Sequence, residues 1–435
     1  MTTSLTTQQR AWYETACATV SKERLKQLVF DLTNVHSPTG AERDASEFMV
    51  EHFASRGFGV HYQAITEDSG NSVARVKGSG EGPTLLLFAP IDTNLNADPD
   101  EEIPAAGKNL RDDMKPVASI RGDTVVGLGA SNPKSMVATL TEALSCVVEA
   151  GTQLKGDVII AACAGGMPWV VPERSHAGVS HGAMHLLSRG VAPDFGIILK
   201  PWDYVYWEHP GMCWFKVTTW GTMCYAGLPR GTPGFRSSLL PATKVIQELE
   251  RWLIDYPDSH VSEQVRAEGW ISAVRSGWPS RATWPGAATE FYLDVRTTPD
   301  QTNADIQTEF NAVMNEIVAR HDDVDAEWEM TVSCRSSRTD PQSFVVQSAI
   351  RAWEERHGHP YPGAPQMSGQ TDAATISQLG IPLARIGYET EMPEEFSEGL
   401  GGMGVAHIPS LIGPCQSTIY SIIDICTRTR SEVGL

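Results

Sequence analysis

An α/β fold built on a mostly parallel sheet, interrupted by a smaller inserted α+β domain, is what this 435-residue sequence predicts. Three observations lead there. Residues 85–88, 158–162 and 195–199 are apolar without alternation and are separated by helix-patterned segments, as expected of strands covered on both faces. Near Gly211 the pattern changes to half-exposed, alternating strands, and the earlier pattern resumes after residue 335. The chain is also too long for one ordinary core.

Apolar residues at helical spacing (Leu25, Leu28, Val29, Leu32) predict a helix over 12–35, stopped by Ser37-Pro38-Thr39-Gly40. A second amphipathic helix is expected at 42–53, then strands at 60–63, 72–76 and 84–88, the last running into Ala89-Pro90-Ile91-Asp92. Sites in parallel sheets form beyond the carboxyl ends of strands, so Asp92 sits where chemistry is expected. Residues 94–102 read as an acidic, solvated loop. The glycine-rich turn 127–135 opens an apolar helix at 136–150; it lacks the Walker spacing and reads as a tight turn.

The strand at 157–162 leads to Cys163, and an irregular stretch with Trp169, Glu173, His176 and His181 precedes a helix at 182–188. The strand at 195–199 ends in Lys200-Pro201-Trp202. Residues 209–335 form the inserted domain, with strands at 213–220, 289–295 and 326–333 and helices at 238–253 and 304–319. The main domain, 1–208 and 336–435, resumes with a helix at 341–357. It continues through the loop Ser368-Gly369-Gln370-Thr371-Asp372, a helix at 373–379, a strand at 382–386 and a closing helix at 417–427.

A net charge of −19 with no basic stripe argues against nucleic acid as partner and directs the expectation to a small molecule. No apolar run approaches the roughly 18 residues that span a bilayer, so no membrane association is expected. Residues 1–9 carry no secretion pattern, and eight cysteines without a C-x-x-C pair read as reduced, mostly core thiols. A cytoplasmic location follows as the expectation.

The order of motifs resembles the M20 metallopeptidase and amidohydrolase family, which includes acetylornithine deacetylase, succinyl-diaminopimelate desuccinylase and carboxypeptidase G2. The resemblance runs along nearly the whole chain. Its pieces are Ser37 to Glu42, Leu85 to Thr93, Gly127 to Lys134, Gly182-Ala183, Asp194 to Pro201, Gly211 to Pro229, Leu293-Asp294-Val295-Arg296, Ser368 to Ala373 with Gly380-Ile381-Pro382, and Ala406-His407. It implies a catalytic α/β domain, an inserted α+β lid that often forms a homodimer, and two zinc ions held by carboxylates and histidines. A carboxylate beside the metals would act as general base on a bridging water.

At the positions where the resemblance implies ligands, the residues differ. The first ligand histidine is replaced by Pro90, and only Asp92, which would orient it, is kept. The bridging aspartate falls on Asn132, the glutamate pair on Gly165-Gly166-Met167, and the glutamate ending the third strand on Lys200. His407 alone survives, and the lid histidine falls on Tyr225. One histidine and one aspartate cannot hold a hydrolytic zinc site, so no metal and no other cofactor is expected unless Glu173, His176 or His181 supplies new ligands.

The remaining residues suggest a metal-independent hydrolase of C–N bonds, amide-like or in a ring. Lys200 would stand in for the metal charge, His407 with Asp92 would act as base, and Asn132 or Tyr225 would bond a developing oxyanion. Trp169 and Trp202, with Trp207 near in sequence, would line an aromatic pocket; Ser368, Gln370, Thr371 and Asp372 lie in the family's pocket loop, and Arg296 is structural or binds a substrate carboxylate. Cys163 and the serines flanking Lys134 (Ser131, Ser135) are weaker nucleophile candidates. Two alternatives stand beside this reading: a catalytically inactive homologue that binds a small molecule or a partner subunit, and a zinc hydrolase with relocated ligands.

Overall fold

The computed structural model describes residues 4–96, 98–171, 176–389, 394–396 and 403–435. The chain divides into two compact units. One comprises Met1–Trp207, Thr339–Ala364 and Thr371–Leu435; the other comprises Glu208–Arg338 and Pro365–Gln370.

The larger unit is organised by a six-stranded sheet in the spatial order Gly59–Ala64, Gly70–Val76, Val158–Cys163, Leu85–Pro90, Phe195–Pro201 and Leu383–Tyr388. The last four run parallel, and the first two are antiparallel neighbours. This is the largely parallel α/β sheet expected from the uninterrupted apolar runs. Leu85, Leu87 and Ala89 face a core shared with helices Lys22–Thr33, Met136–Glu149, Phe344–His357 and Ile412–Cys426. Leu86 and Phe88 face the opposite core with helices His181–Ser188 and Asp372–Gln378. Burial on both faces explains why the strands show no alternation.

The smaller unit has a four-stranded antiparallel sheet, ordered Gly269–Ser276, Ala288–Thr297, Gly211–Trp220 and Ala326–Cys334. Helices Leu239–Ser259 and Asn303–Arg320 share its core, which includes Phe215, Phe291 and Phe310. The segment 365–370 belongs here because Met367 exchanges backbone hydrogen bonds with Gln264 and Arg266, each at 3.0 Å.

Three local expectations change. The helix expected over 12–35 is two helices, Thr7–Ala18 and Lys22–Thr33. Ser21 divides them: its hydroxyl accepts from the Arg24 amide at 3.2 Å, while its own amide donates to Glu142 at 2.8 Å. Capping at a serine outweighs continuous apolar spacing. The acidic loop contains a helix, Pro99–Ala106, with Asp98 as N-cap and proline in the first turn, a pairing that tolerates the missing proline amide. The edge strand Gly269–Ser276 has mostly exposed residues, so no buried face marked it in the sequence. Among the described residues, no helix is long and apolar enough to cross a membrane.

Candidate active site

Three carboxylates, one lysine and a tight glycine turn meet beyond the carboxyl ends of the parallel strands. The turn Gly165-Gly166-Met167 follows the Val158–Cys163 strand and points three successive amides at two buried acids. Gly165 donates to Glu42 Oε1 at 3.0 Å, Gly166 to Asp92 Oδ1 at 2.9 Å, and Met167 to Asp92 Oδ2 at 2.9 Å. Thr39 adds a hydroxyl bond to Asp92 Oδ2 at 2.7 Å, and the Gly40 amide bonds Glu42 at 2.7 Å. Consecutive backbone amides in such a turn form an anion-binding concavity. At Gly166 a side chain would overlap Pro90 and stand 2.9 Å from Asp372 Oδ2, so the turn requires glycine there.

Asp92 is fully buried. Burial pushes its pKa up to about 7, helped by the negative charge of Glu42, against the opposing effect of the Met167 amide and Thr39 hydroxyl. Its partners are Thr39, Gly166 and Met167, not Lys200 and not His407. The His407–Asp92 dyad expected from the sequence is therefore not formed. His407 ends the strand Val405–His407, opposite Thr124, and its Nδ1 lies 2.8 Å from Ser410 Oγ.

Asp372 contrasts with Asp92. It opens the helix Asp372–Gln378, is 1% exposed, and neither carboxylate oxygen has a hydrogen-bond partner among the described residues. Burial raises its pKa; the Lys200 ammonium and, less strongly, the nearby Ser180 hydroxyl act the other way. Lys200, 7% exposed, is the penultimate residue of the Phe195–Pro201 strand and donates to Asn132 Oδ1 at 3.4 Å. Burial depresses its pKa to about 8; the charge of Asp372 opposes this and that of Arg385 adds to it. No direct ion pair joins Lys200 to either aspartate.

The backbone around this group is strained. Among the described residues, the non-glycine positions with left-handed φ are Val179 (62°), Ser180 (70°) and Trp202 (76°). Ser180 faces Asp372, Val179 precedes it, and Trp202 lies two residues beyond Lys200. Such conformations cost about 1–3 kcal/mol each and persist where the surrounding structure imposes them, often at functional sites.

The other candidates fall as follows. Thr371 caps the Asp372–Gln378 helix, its hydroxyl accepting from the Ala373 amide at 3.3 Å. Trp169 is half-buried in the turn after Met167, whereas Trp202 is exposed and Trp207 belongs to the core. Tyr225, Arg296, Ser368 and Gln370 belong to the smaller unit. There Tyr225 packs against Trp284, Arg296 pairs with Asp294 at 2.7 Å, and Ser368 bonds the Arg266 carbonyl at 2.8 Å.

Cys163 is a buried thiol with its pKa driven well up by burial. Lys134 donates to the Val35 carbonyl at 2.7 Å rather than to Ser131 or Ser135, whose hydroxyls both lie 3.1 Å from that of Tyr388. Sequence reasoning missed Glu42, Thr39 and Arg385 as members of the site. A lone arginine inside the apolar strand Leu383–Tyr388 was the available signal for Arg385, because charge in a buried strand demands a reason.

The residues at the implied zinc positions do not fit a zinc pair. Gly166 and Met167 present amide donors, Asn132 a neutral amide, Pro90 no lone-pair ligand, and Lys200 a buried cation. Of the replacement ligands considered, Glu173 lies outside the described residues, as does the His176 side chain, and His181 opens the helix His181–Ser188. Among the described residues, no three His, Cys, Asp or Glu side chains are grouped to hold a metal ion.

No protein-family model matches the sequence. A Thermococcus kodakarensis protein named as a LysW-lysine/LysW-ornithine hydrolase is 38% identical over 74 residues, which is 17% of this chain and only 20% of that protein's length. Solved structures match far more widely. Human carnosine dipeptidase 1 superposes with a TM-score of 0.71 at 11% identity, over 97% of this chain and 100% of its own. The Saccharomyces cerevisiae di-peptidase Dug1p gives 0.71 at 11%, over 97% and 99%. An M20 family metallo-carboxypeptidase from Sulfolobus solfataricus gives 0.67 at 12%, over 93% and 99%. The chain thus has the two-domain fold of the M20 peptidases and amidohydrolases, as the order of its motifs implied.

Proposed function

We propose that this protein is a hydrolase of C–N bonds in small amide-like molecules, and that it works without the zinc pair that the family resemblance implies. The observation that carries this reading is Asp372: a buried carboxylate with no hydrogen-bond partner among the described residues, held near a buried lysine at the ends of parallel strands. A carboxylate with a raised pKa and free lone pairs is suited to act as general base, and a neighbouring fixed cation to receive developing negative charge.

In this reading Asp372 takes a proton from water as the oxygen adds to the substrate carbonyl. The C=O electron pair moves onto oxygen, opposite the Lys200 ammonium. Asn132 accepts from Lys200 through Oδ1, which leaves its NH2 group to donate to the same oxyanion. Collapse re-forms C=O and breaks C–N, and the departing nitrogen takes its proton from the Asp372 carboxylic acid. Asp92 and Glu42 hold the glycine turn that borders Asp372. That structural relatives are named as peptidases and dipeptidases supports the bond class.

The test is turnover of a carboxamide panel by protein stripped with a chelator, with zinc measured by emission spectroscopy. Activity is expected to persist with zinc far below one ion per chain and to fall about 10²–10³-fold in Lys200→Met. Activity that departs with about two zinc ions per chain, and returns with them, would overturn the metal-free reading.

Two further expectations join this proposal. Eight cysteines, none in a disulfide, support a reducing, cytoplasmic setting. The outer strand Gly269–Ser276, with Trp270 and Val274 exposed, supports the homodimer expected through the smaller unit, and sedimentation equilibrium checks it.

A further inference from the structure

Trp202 combines three properties that rarely occur together. Its backbone is in the left-handed region at φ 76°, its side chain is 52% exposed, and its immediate surroundings are heavily fixed. The Trp202 amide donates to the Tyr388 carbonyl at 2.9 Å, and its carbonyl accepts from the Tyr204 amide at 2.8 Å. The next residue, Asp203, is clamped by Arg356 through both guanidinium nitrogens and by His357 at 3.0 Å, and its carbonyl accepts from the Trp353 indole at 2.9 Å. Opposite the turn, any side chain at Gly387 would overlap the Trp202 carbonyl oxygen. A bulky residue in this conformation costs free energy that glycine would avoid. The clamps hold the strained geometry in place, yet the indole they present is half in solvent.

One side of the ring is occupied. The Arg385 guanidinium carbon lies 5.6 Å from the Trp202 ring centroid and 5.0 Å from that of Tyr206, so a cation sits between two aromatic rings. Arg385 also lies close enough to Lys200 for their charges to interact. Trp202 therefore adjoins the Lys200–Asp372 pair through Arg385 as well as through the chain.

We propose that Trp202 is the substrate-recognition platform of this site and that the substrates are aryl or heteroaryl carboxamides, whose flat ring stacks on the exposed part of the indole. The inference rests on the hydrolase reading above for the carboxamide and on the Trp202 geometry for the ring. With a cation behind it, the indole's outer face favours an electron-rich or anionic π system, which suits an aryl carboxylate product as well as its amide. Gly387 acts as a positioning residue by admitting the turn.

The experiment uses the full-length protein with benzamide, benzoate and cyclohexanecarboxylate, reading tryptophan fluorescence quenching and Kd in wild type, Trp202→Ala, Trp202→Phe and Trp202→Gly. Benzoate is expected to quench, to bind about tenfold more tightly than cyclohexanecarboxylate, and to lose about tenfold in affinity in Trp202→Ala with most retained in Trp202→Phe. Trp202→Gly is expected to be at least as thermally stable as wild type while losing the discrimination, because glycine adopts this φ freely.

Equal Kd for the aromatic and saturated acids, an unchanged Kd in Trp202→Ala, or no binding of benzoate would each overturn the platform. Benzamide turnover that disappears in Asp372→Asn separates the two readings. If turnover is present without aromatic discrimination, the platform fails and the hydrolase stands. If Trp202-dependent binding occurs with no turnover of any carboxamide, the hydrolase fails and the platform stands.

Discussion

Asp92 and Asp372 are both buried carboxylates beyond the ends of the same sheet, and they are treated in opposite ways. Asp92 receives two backbone amides and a hydroxyl, so its lone pairs are committed to holding the Gly165–Met167 turn. Asp372 receives no hydrogen bond among the described residues, with Lys200 as its main favourable neighbour. A buried charge that is fully bonded contributes to architecture; one left unbonded is costly and is retained where something else needs its lone pairs. Burial alone therefore does not distinguish a structural carboxylate from a reactive one, whereas the donor inventory does.

Exchanging the two acids for their amides tests this contrast most severely. Asp372→Asn is expected to lower kcat by roughly 10²–10⁴ with a far smaller change in thermal stability, since it relieves a buried charge while removing the favourable neighbour of the Lys200 ammonium and the Ser180 hydroxyl. A mutant that unfolds with activity per folded molecule intact would reverse the assignment. Lys200→Met follows, with an expected loss of about 10²–10³ in kcat.

The pH profile of wild type sharpens that second expectation. The proposed mechanism uses Lys200 as the ammonium, and its pKa is depressed to about 8, so activity is expected to fall as pH rises through that value. In Asp372→Asn the ammonium loses its stabilising neighbour, and the basic limb of any residual activity moves lower. Stability has the opposite sign: the fold favours neutral Lys200, so its contribution grows as pH rises from about 8 towards the ordinary 10.5.

Asp92→Asn is a stability mutation in this scheme. Its NH2 group would oppose a backbone donor, at a cost of about 1–3 kcal/mol measured by denaturant unfolding. Wild-type Asp92 has its pKa raised from 3.8 to about 7, so the native state holds this proton more tightly than the unfolded chain. Its contribution is full below pH 3.8, declines as pH rises towards about 7, and should be missing from the mutant's stability curve. The smallest effect is expected for His407→Ala, with kcat within about twofold of wild type, because the ring is bonded to Ser410 rather than to Asp92. A loss as large as that of Asp372→Asn would restore His407 as the base.

The sequence carried the sheet well, since burial on both faces leaves runs such as 158–163 without polar interruption. It carried the edge strand Gly269–Ser276 poorly, because a strand with little buried surface has no pattern to show. Lys200, Asn132 and Asp372 were legible as residues, through their places at strand ends and in the pocket loop. Their pairing was not. Asp92 was expected to support His407, but its partners are the Thr39 hydroxyl and amides of a neighbouring turn, and backbone donors are the same at every position in a sequence. The strain at Val179, Ser180 and Trp202 was equally hidden, because a residue that resists a conformation gives no local hint that it adopts it.

The order of the strands sets a timetable for synthesis. Leu383–Tyr388, which borders the Lys200 strand and supplies Arg385 and Gly387, is the last to join the sheet, and Asp372 is made shortly before it. The smaller unit likewise waits for Met367 before Gln264 and Arg266 gain their backbone partner. A ribosome-bound chain can therefore hold most of the fold's residues and still have neither the base nor the surface on which Trp202 rests. On the proposed mechanism, a chain ended before Leu383–Tyr388 is expected to be inert rather than partly active.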